Sequence, residues 1–309
     1  MKIVFVASGN KSVGTVSPFV RSQYESLVQE GLDMVLFPII GKGWKSYVKG
    51  ILQLRKLIRK ECPDVVHAHY SVCGVVAAIA CLGTRSKTMV SILGSFPRNT
   101  FKLHWVRFFI KYVWDATITK SQRTADQLGI DIPVIPNGVN MDQFILIDKE
   151  KARNICGFEE GKKYVIWCSN PSRREKRFDW ASKAVELLND KSVILYPVFN
   201  KNHDEVVKYM CAADVLLLTS EMEGSPNVIK EAMACNCPIV STDVGDVRWV
   251  TDGVDGTSIA PCGDLEAISH CLQKTLNYSG RTQGRKRIID YGLTTKEIAK
   301  KIILIYDTL

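Results

Sequence analysis

Nine residues concentrate the chemistry of this sequence: Glu223-Gly-Ser-Pro-Asn-Val-Ile-Lys-Glu231. The apolar run Val215–Ser220 leads into them, and a helical pattern follows. Ser225 is of a helix-capping type and Pro226 suits a first helical position, so a helix is predicted to begin here. The amides of Asn227 and Val228 would then be unpaired at the positive end of that helix, where a diphosphate binds. Glu223 precedes the turn, and Glu231 lies roughly one to two turns into the helix. Neither carboxylate can ligate phosphate, but both can accept hydrogen bonds from sugar hydroxyls.

Such a site needs strands to deliver its loops. Short apolar, often β-branched runs alternate with helical periods along the whole chain. Predicted strands in the first half are Ile3–Ala7, Met34–Ile39, Val65–His69, Thr88–Leu93, Ala116–Thr119 and Val134–Ile135. Those in the second half are Tyr164–Ser169, Val193–Phe199, Val215–Ser220, Pro238–Thr242 and Thr257–Ile259. Val16, Phe19, Val20, Tyr24, Leu27 and Val28 form a helical stripe stopped by Gly31, and two more helices are predicted near 281–291 and 295–307. Pro133, Pro136, Asn137 and Gly138 cluster as turn residues, followed by the polar stretch Asp148–Arg153. Two successive βα arrays imply an α/β protein with two doubly wound parallel sheets. Ligands in that architecture sit at the carboxyl ends of the strands, here expected in a cleft between domains. The expected division is 1–147, 148–285 and C-terminal helices at 286–309 packing back on the first domain.

Composition bounds the class. The 309 residues are 46% hydrophobic and 24% charged, which excludes disorder and a disulfide-stapled miniature fold. The longest apolar run, Val72–Leu82, has eleven residues, against ~20 for a membrane-spanning helix. Five apolar residues after Met1-Lys2 are too few for a signal peptide. The ten cysteines are scattered without a CxxC pair, so a reducing cytoplasm is expected and neither a zinc knuckle nor a thioredoxin-type site is indicated.

Charge is unevenly placed. Residues 1–147 hold 18 Lys and Arg against 9 Asp and Glu, whereas 148–309 hold 23 of each, so the whole excess of +9 lies in the first half. Residues 42–60 carry Lys42, Lys45, Lys49, Arg55, Lys56, Arg59 and Lys60 with no acid. Trp44, Tyr47, Val48, Ile51, Leu54 and Ile58 recur there at helical spacing, a basic amphipathic helix. Residues 95–114 interleave Arg98, Lys102, Arg107 and Lys111 with aromatics. Both stretches suit an anionic membrane surface. Nucleic acid is not expected, because no RNP, zinc-finger or helix-turn-helix pattern accompanies the charge.

With its flank the opening segment reads E-G-S-P-N-x3-E-A-M-A-C-x2-P-I-V-S-T-D-V-G. It resembles the E-x7-E element of retaining GT-B glycosyltransferases of family four. Ile135–Phe144 is similar to that family's PNGVD interdomain segment, Asp64–His69 to its DVVHxH strand end, and Gly14 to its glycine-containing loop near the donor phosphates. Cys168–Lys176 lies where the family carries G-R-x4-K. The resemblance implies a GT-B fold and roles for single residues. Lys176 would meet the donor diphosphate and the charge developing on the departing nucleotide. Glu231 would hold ribose hydroxyls, Glu223 the transferred sugar, and the backbone of Gly224, Ser225, Pro226, Asn227 and Val228 the phosphates. His69 would stand near the reacting centre. No metal is expected, since Lys, Arg and a helix terminus replace the cation; the co-substrate expected is a UDP-sugar.

The chain departs from the family at Pro171, where the arginine of G-R falls, so Arg173 is expected to take that role, with Arg174 as the alternative. Leu93-Gly94 also stands where the family often has His-Gly. His67 is expected on the strand face opposite His69, as a packed histidine; Asp243 and Asp246 are expected to shape a turn. The function implied is sugar transfer from a nucleotide-sugar to a lipid-linked or glycan acceptor, for a cell-surface polysaccharide or glycolipid, at the inner face of the cell membrane. The alternatives are a non-catalytic GT-B binding module or a nucleotide-sugar epimerase.

Overall fold

The structure is a computed structural model that describes residues 1–9, 16–41, 43–94 and 101–309. Gly14, Lys42 and Arg98 lie outside the described residues. Two compact units result: Met1–Gly138 with Thr295–Leu309, and Val139–Thr294.

The first unit holds β1 (Lys2–Gly9), β2 (Asp33–Ile40), β3 (Val65–His69), β4 (Lys87–Ile92) and β5 (Ala116–Thr119), all parallel in the order β2-β1-β3-β4-β5. The second holds β6 (Lys163–Trp167), β7 (Val193–Pro197), β8 (Val215–Leu218), β9 (Ile239–Thr242) and β10 (Thr257–Ala260), in the order β10-β9-β8-β6-β7. These are one topology used twice. In each sheet the first and third strands are neighbours, and the chain winds outward from them to both edges. Central strands of such sheets are covered on both faces, and β3 and β8 are buried at every residue. Val134–Ile135, predicted as a strand, is only an isolated bridge to Thr119. Pro133 and Pro136 flank it, and neither has an N–H to extend a ladder.

The unit boundary differs from the expected one. Residues 139–147 belong with the second unit, because the Val139 amide donates to Leu293 O (3.0 Å) and Arg285 reaches Phe144 O (2.6 Å) and Met141 O (3.2 Å). The two C-terminal helices also part company. Gly284–Asp290 stays with the second unit, and Thr295–Tyr306 returns to the first. There it packs on the helix Pro18–Gln29 through buried Ile298, Ala299 and Ile302.

Tyr306 anchors that return, its hydroxyl lying 2.5 Å from His67 Nδ1, while His67 Nε2 meets Ser91 Oγ at 2.8 Å. His67 and His69 do not point to opposite faces. Residues i and i+2 of a strand share a face, and the two rings stack with centroids 4.7 Å apart.

The basic helix forms as Trp44–Glu61, but its apolar stripe divides. Gly50, Leu54 and Ile58 face the core, whereas Trp44 (71% exposed), Val48 and Leu52 share the outer face with Lys45, Lys49, Lys56 and Arg59. In the second basic stretch the helix is Phe101–Tyr112. Its Arg107 turns inward to Leu128 O (2.6 Å) and Gln127 O (3.2 Å), while Phe101 is 85% exposed. Among the described residues no helix is long and apolar enough to cross a membrane.

Tyr306→Phe deletes the hydroxyl that partners buried His67. The expected cost is about 1–3 kcal/mol, seen as a lower urea midpoint with an unchanged m-value. An unchanged midpoint would contradict this anchoring role.

Candidate functional site

The second sheet changes winding direction between β6 and β8, and the loops leaving these two strands carry most of the predicted site. After β6 a 3-10 turn spans Arg174–Lys176, and after β8 come Thr219 to Pro226. Thr219 ties the loops together. Trp167 Nε1 donates to its Oγ1 at 3.0 Å, and that hydroxyl donates to Lys176 O (3.0 Å) and Arg177 O (2.9 Å). The Lys176 ammonium therefore has a fixed root. It pairs with the Glu223 carboxylate, whose same oxygen accepts from Ser220 Oγ at 2.7 Å. Both side chains are mostly covered, 17% and 15% exposed, so solvent screens the pair only partly.

The arginines of this loop differ in what they touch. Arg173 is exposed and forks onto Glu175, with contacts of 2.7 and 2.8 Å. Arg174 is exposed too. Arg177, which sequence reasoning passed over, is the one tied to the β8 loop, pairing with Glu221 and Asp179 and stacking 3.9 Å over Trp180. Arg177 adopts φ +53, a left-handed conformation that closes the 3-10 turn.

The predicted helix is Asn227–Ala234, but its N-cap is Pro226, without a side-chain cap bond. Ser225 is not the cap, because its hydroxyl is committed elsewhere: it donates to Asp246 Oδ2 at 2.6 Å and accepts from Lys230 Nζ at 2.6 Å. Among the described residues the amides of Asn227 and Val228 have no acceptor, and Asn227 Oδ1 is buried without a partner. Asp246 was expected only to shape a turn, and Lys230 was not singled out. A signal existed: Lys230 and Ala234 share the inward stripe beside Ile229 and Met233. A lysine on such a stripe needs a buried counter-charge.

At the helix's other end Arg285 donates to Ala234 O (2.9 Å) and Arg281 to Cys235 O (2.9 Å). Glu231 is half-buried on this helix, and its carboxylate has no hydrogen-bond partner among the described residues. Burial pushes it up to about 7, against the lowering pull of the Lys230 ammonium.

The first unit presents a cavity of about 890 Å³ at the matching place, beyond the ends of β1, β3 and β4. Ser8, Gly9, Tyr70 and Ser71 line it, with Arg21 and Lys102 as its cations, and no acid lines it among the described residues. Tyr70 holds φ +73 at the start of the helix Ser71–Cys81, strain of the kind that accompanies binding sites. His69 does not line this cavity. It is fully buried against Phe5 and His67, and burial, with the His67 and Lys120 charges, holds it well below the usual histidine range. Its two ring nitrogens have no partner among the described residues. Among those residues no group of three His, Cys, Asp or Glu side chains could hold a metal ion.

Two family profiles match this chain, one described as Glycosyltransferase Family 4 over residues 15–143 and one as Glycosyl transferases group 1 over residues 163–277. The chain belongs to the group 1 glycosyl transferases. It is 27% identical over 217 residues to a teichuronic acid biosynthesis glycosyltransferase, TuaC, of Bacillus subtilis. That match covers 60% of this chain and 54% of the relative, so the chain spans about half of that relative's length. It is 24% identical over 298 residues to an Escherichia coli UDP-Gal:α-D-GlcNAc-diphosphoundecaprenol α-1,3-galactosyltransferase, covering 81% of this chain and 77% of that protein. Among solved structures it resembles Anabaena Alr3699/HepE in complex with UDP, with a TM-score of 0.79, 16% identity and full coverage of both chains. The two Rossmann-like units thus form a GT-B fold.

Glu231 gives this chain a pH signature. Its folded value of about 7 exceeds the ordinary 4.5, so between those values the folded protein keeps a proton that the unfolded chain has lost. Stability from this group is therefore full below 4.5 and falls as pH rises toward 7. Glu231→Gln is expected to flatten that component of stability. Urea midpoints at pH 5 and pH 7 test this: parallel pH slopes in variant and wild type would contradict it.

Proposed function

We propose that this chain is a retaining glycosyltransferase. It moves a sugar from a nucleotide-sugar, a UDP-sugar, to a lipid-linked or glycan acceptor during synthesis of a cell-surface polysaccharide or glycolipid. The observation that carries this reading is the convergence, in one unit, of Lys176, Glu223 and the acceptor-free amides of Asn227 and Val228. The family and the kinds of relatives it contains support it.

Each group has a task in this reaction. Before donor binds, Glu223 satisfies the Lys176 ammonium. The arriving diphosphate takes the ammonium over and lies on the Asn227 and Val228 amides, at the positive end of the helix dipole. Glu223, released, accepts hydrogen bonds from the transferred sugar, and Glu231 accepts from the ribose hydroxyls. The bond from the anomeric carbon to the phosphate oxygen breaks, and the acceptor oxygen forms its bond on the same face. The departing phosphate oxygen takes the acceptor's proton. Lys176 and the helix end neutralise the charge that develops on the nucleotide without a metal ion. The cavity of the first unit, with Arg21 and Lys102, receives the acceptor. The outer face of Trp44–Glu61 rests on an anionic cytoplasmic membrane surface through Lys45, Lys49 and Lys56, with Trp44 at headgroup level.

Turnover assays with UDP-sugars and lipid-diphosphate acceptors test the site. Lys176→Ala is expected to lower kcat by about 100-fold or more, and Glu231→Ala to raise the donor KM. Retained kcat in Lys176→Ala would remove this lysine from the mechanism. Flotation tests the membrane contact separately. Binding to anionic vesicles, absent with neutral ones, is expected to weaken by at least about tenfold in the triple variant Lys45→Glu/Lys49→Glu/Lys56→Glu. Equal flotation on both vesicle types would overturn that part alone.

A further inference from the structure

Ser225 stands one residue ahead of the N-cap of Asn227–Ala234, close enough to cap that helix after a one-residue shift. A serine that caps a helix accepts from the second or third helical amide. Counted from Pro226 as first position, those are Asn227 and Val228, the amides assigned above to the diphosphate. In the structure the hydroxyl is held away from them. Its oxygen lies 2.6 Å from Asp246 Oδ2 and 2.6 Å from Lys230 Nζ, and Lys230 Nζ also reaches Asp246 Oδ2 at 3.0 Å. All three residues are buried, Lys230 with 1% of its surface exposed.

Such a buried charge pair is costly to assemble and is weak evidence of stability by itself. Its placement says more. Lys230 comes from the first turns of the helix it serves, and Asp246 from the loop after β9. Gly245, beside Asp246, has φ +56 and packs so tightly that a Cβ there would lie 2.5 Å from Gly224 O. The Asp246 loop is therefore braced against the backbone of the Glu223–Ser225 turn itself.

We propose that Lys230 and Asp246 are positioning residues that withhold the Ser225 hydroxyl from its own helix end, keeping the Asn227 and Val228 amides open for the donor diphosphate. This rests on the donor site proposed above. Freed from the pair, Ser225 caps the helix and competes with the phosphate, and a cap of this kind corresponds to about fivefold in an equilibrium constant. A merely structural pair would act the same way whether or not the serine hydroxyl is present.

The test is a double-mutant cycle read as the Kd of UDP, and in parallel GDP, by isothermal titration calorimetry, with circular dichroism as the check on folding. Lys230→Met/Asp246→Leu replaces both charges together, which avoids stranding one in the interior. In the Ser225 background this pair of substitutions is expected to weaken nucleotide binding by about fivefold, and in the Ser225→Ala background by less than about twofold. Equal losses in both backgrounds, or no loss in either, would overturn the proposal. If Lys230→Met/Asp246→Leu does not fold, Lys230→Met/Asp246→Ala is carried through the same cycle with the same criteria. Failure of the wild type to bind UDP or GDP would overturn the donor site itself and this proposal with it.

Discussion

A doubly wound parallel sheet sends its connections to opposite faces on either side of one strand pair, and the carboxyl ends of that pair are left uncovered. In the second unit the pair is β6 and β8, and this constraint places Lys176 and Glu223 side by side although 46 residues separate them. Short loops then hold the geometry. Thr219, at the end of β8, accepts from Trp167 of β6 and donates to the carbonyls of Lys176 and Arg177, so one hydroxyl fixes the loop after β6 to the strand beside it. The first unit repeats the topology, and its cavity opens beyond the corresponding strands.

Electrostatics follow from this placement. Partly buried, the Lys176–Glu223 pair is stronger than an exposed ion pair, yet an incoming anion can offer the lysine a replacement partner. The Lys230–Asp246 pair is different. It is almost wholly buried, and removing one partner would cost about 3–5 kcal/mol. One pair is therefore suited to exchange and the other to permanence. Glu231 completes the set as a carboxyl that burial raises to about 7, against the pull of Lys230.

Much of this was legible in the sequence. The short apolar, often β-branched runs located the ten strands of the described residues, because strands of parallel sheets read as near-continuous apolar runs. Val134–Ile135 misled, since the prolines on either side allow extended backbone but no ladder. The Glu223–Glu231 segment declared itself by its composition. What stayed hidden depended on tertiary contacts: Ser225 has the chemistry of a cap, but its hydroxyl is bonded to Asp246, 21 residues on, and to Lys230. The tie between Arg177 and Glu221 of the β8 loop was not foreseen, because spacing alone cannot tell which side chain of a tight turn reaches the neighbouring loop. His67 and His69 were separated by a misapplied alternation, since positions two apart share a strand face.

In the proposed reaction the second unit holds a nucleoside diphosphate through Lys176, the Asn227–Ala234 helix end and Glu231. That binding is tested most directly by thermal shift with UDP, GDP and ADP at millimolar concentration, on wild type and Glu231→Ala. A ligand that binds only the folded state must raise the melting temperature. One of the three is expected to raise it in the wild type, with a clearly smaller rise in Glu231→Ala. No shift with any of them, or equal shifts in both proteins, would contradict it.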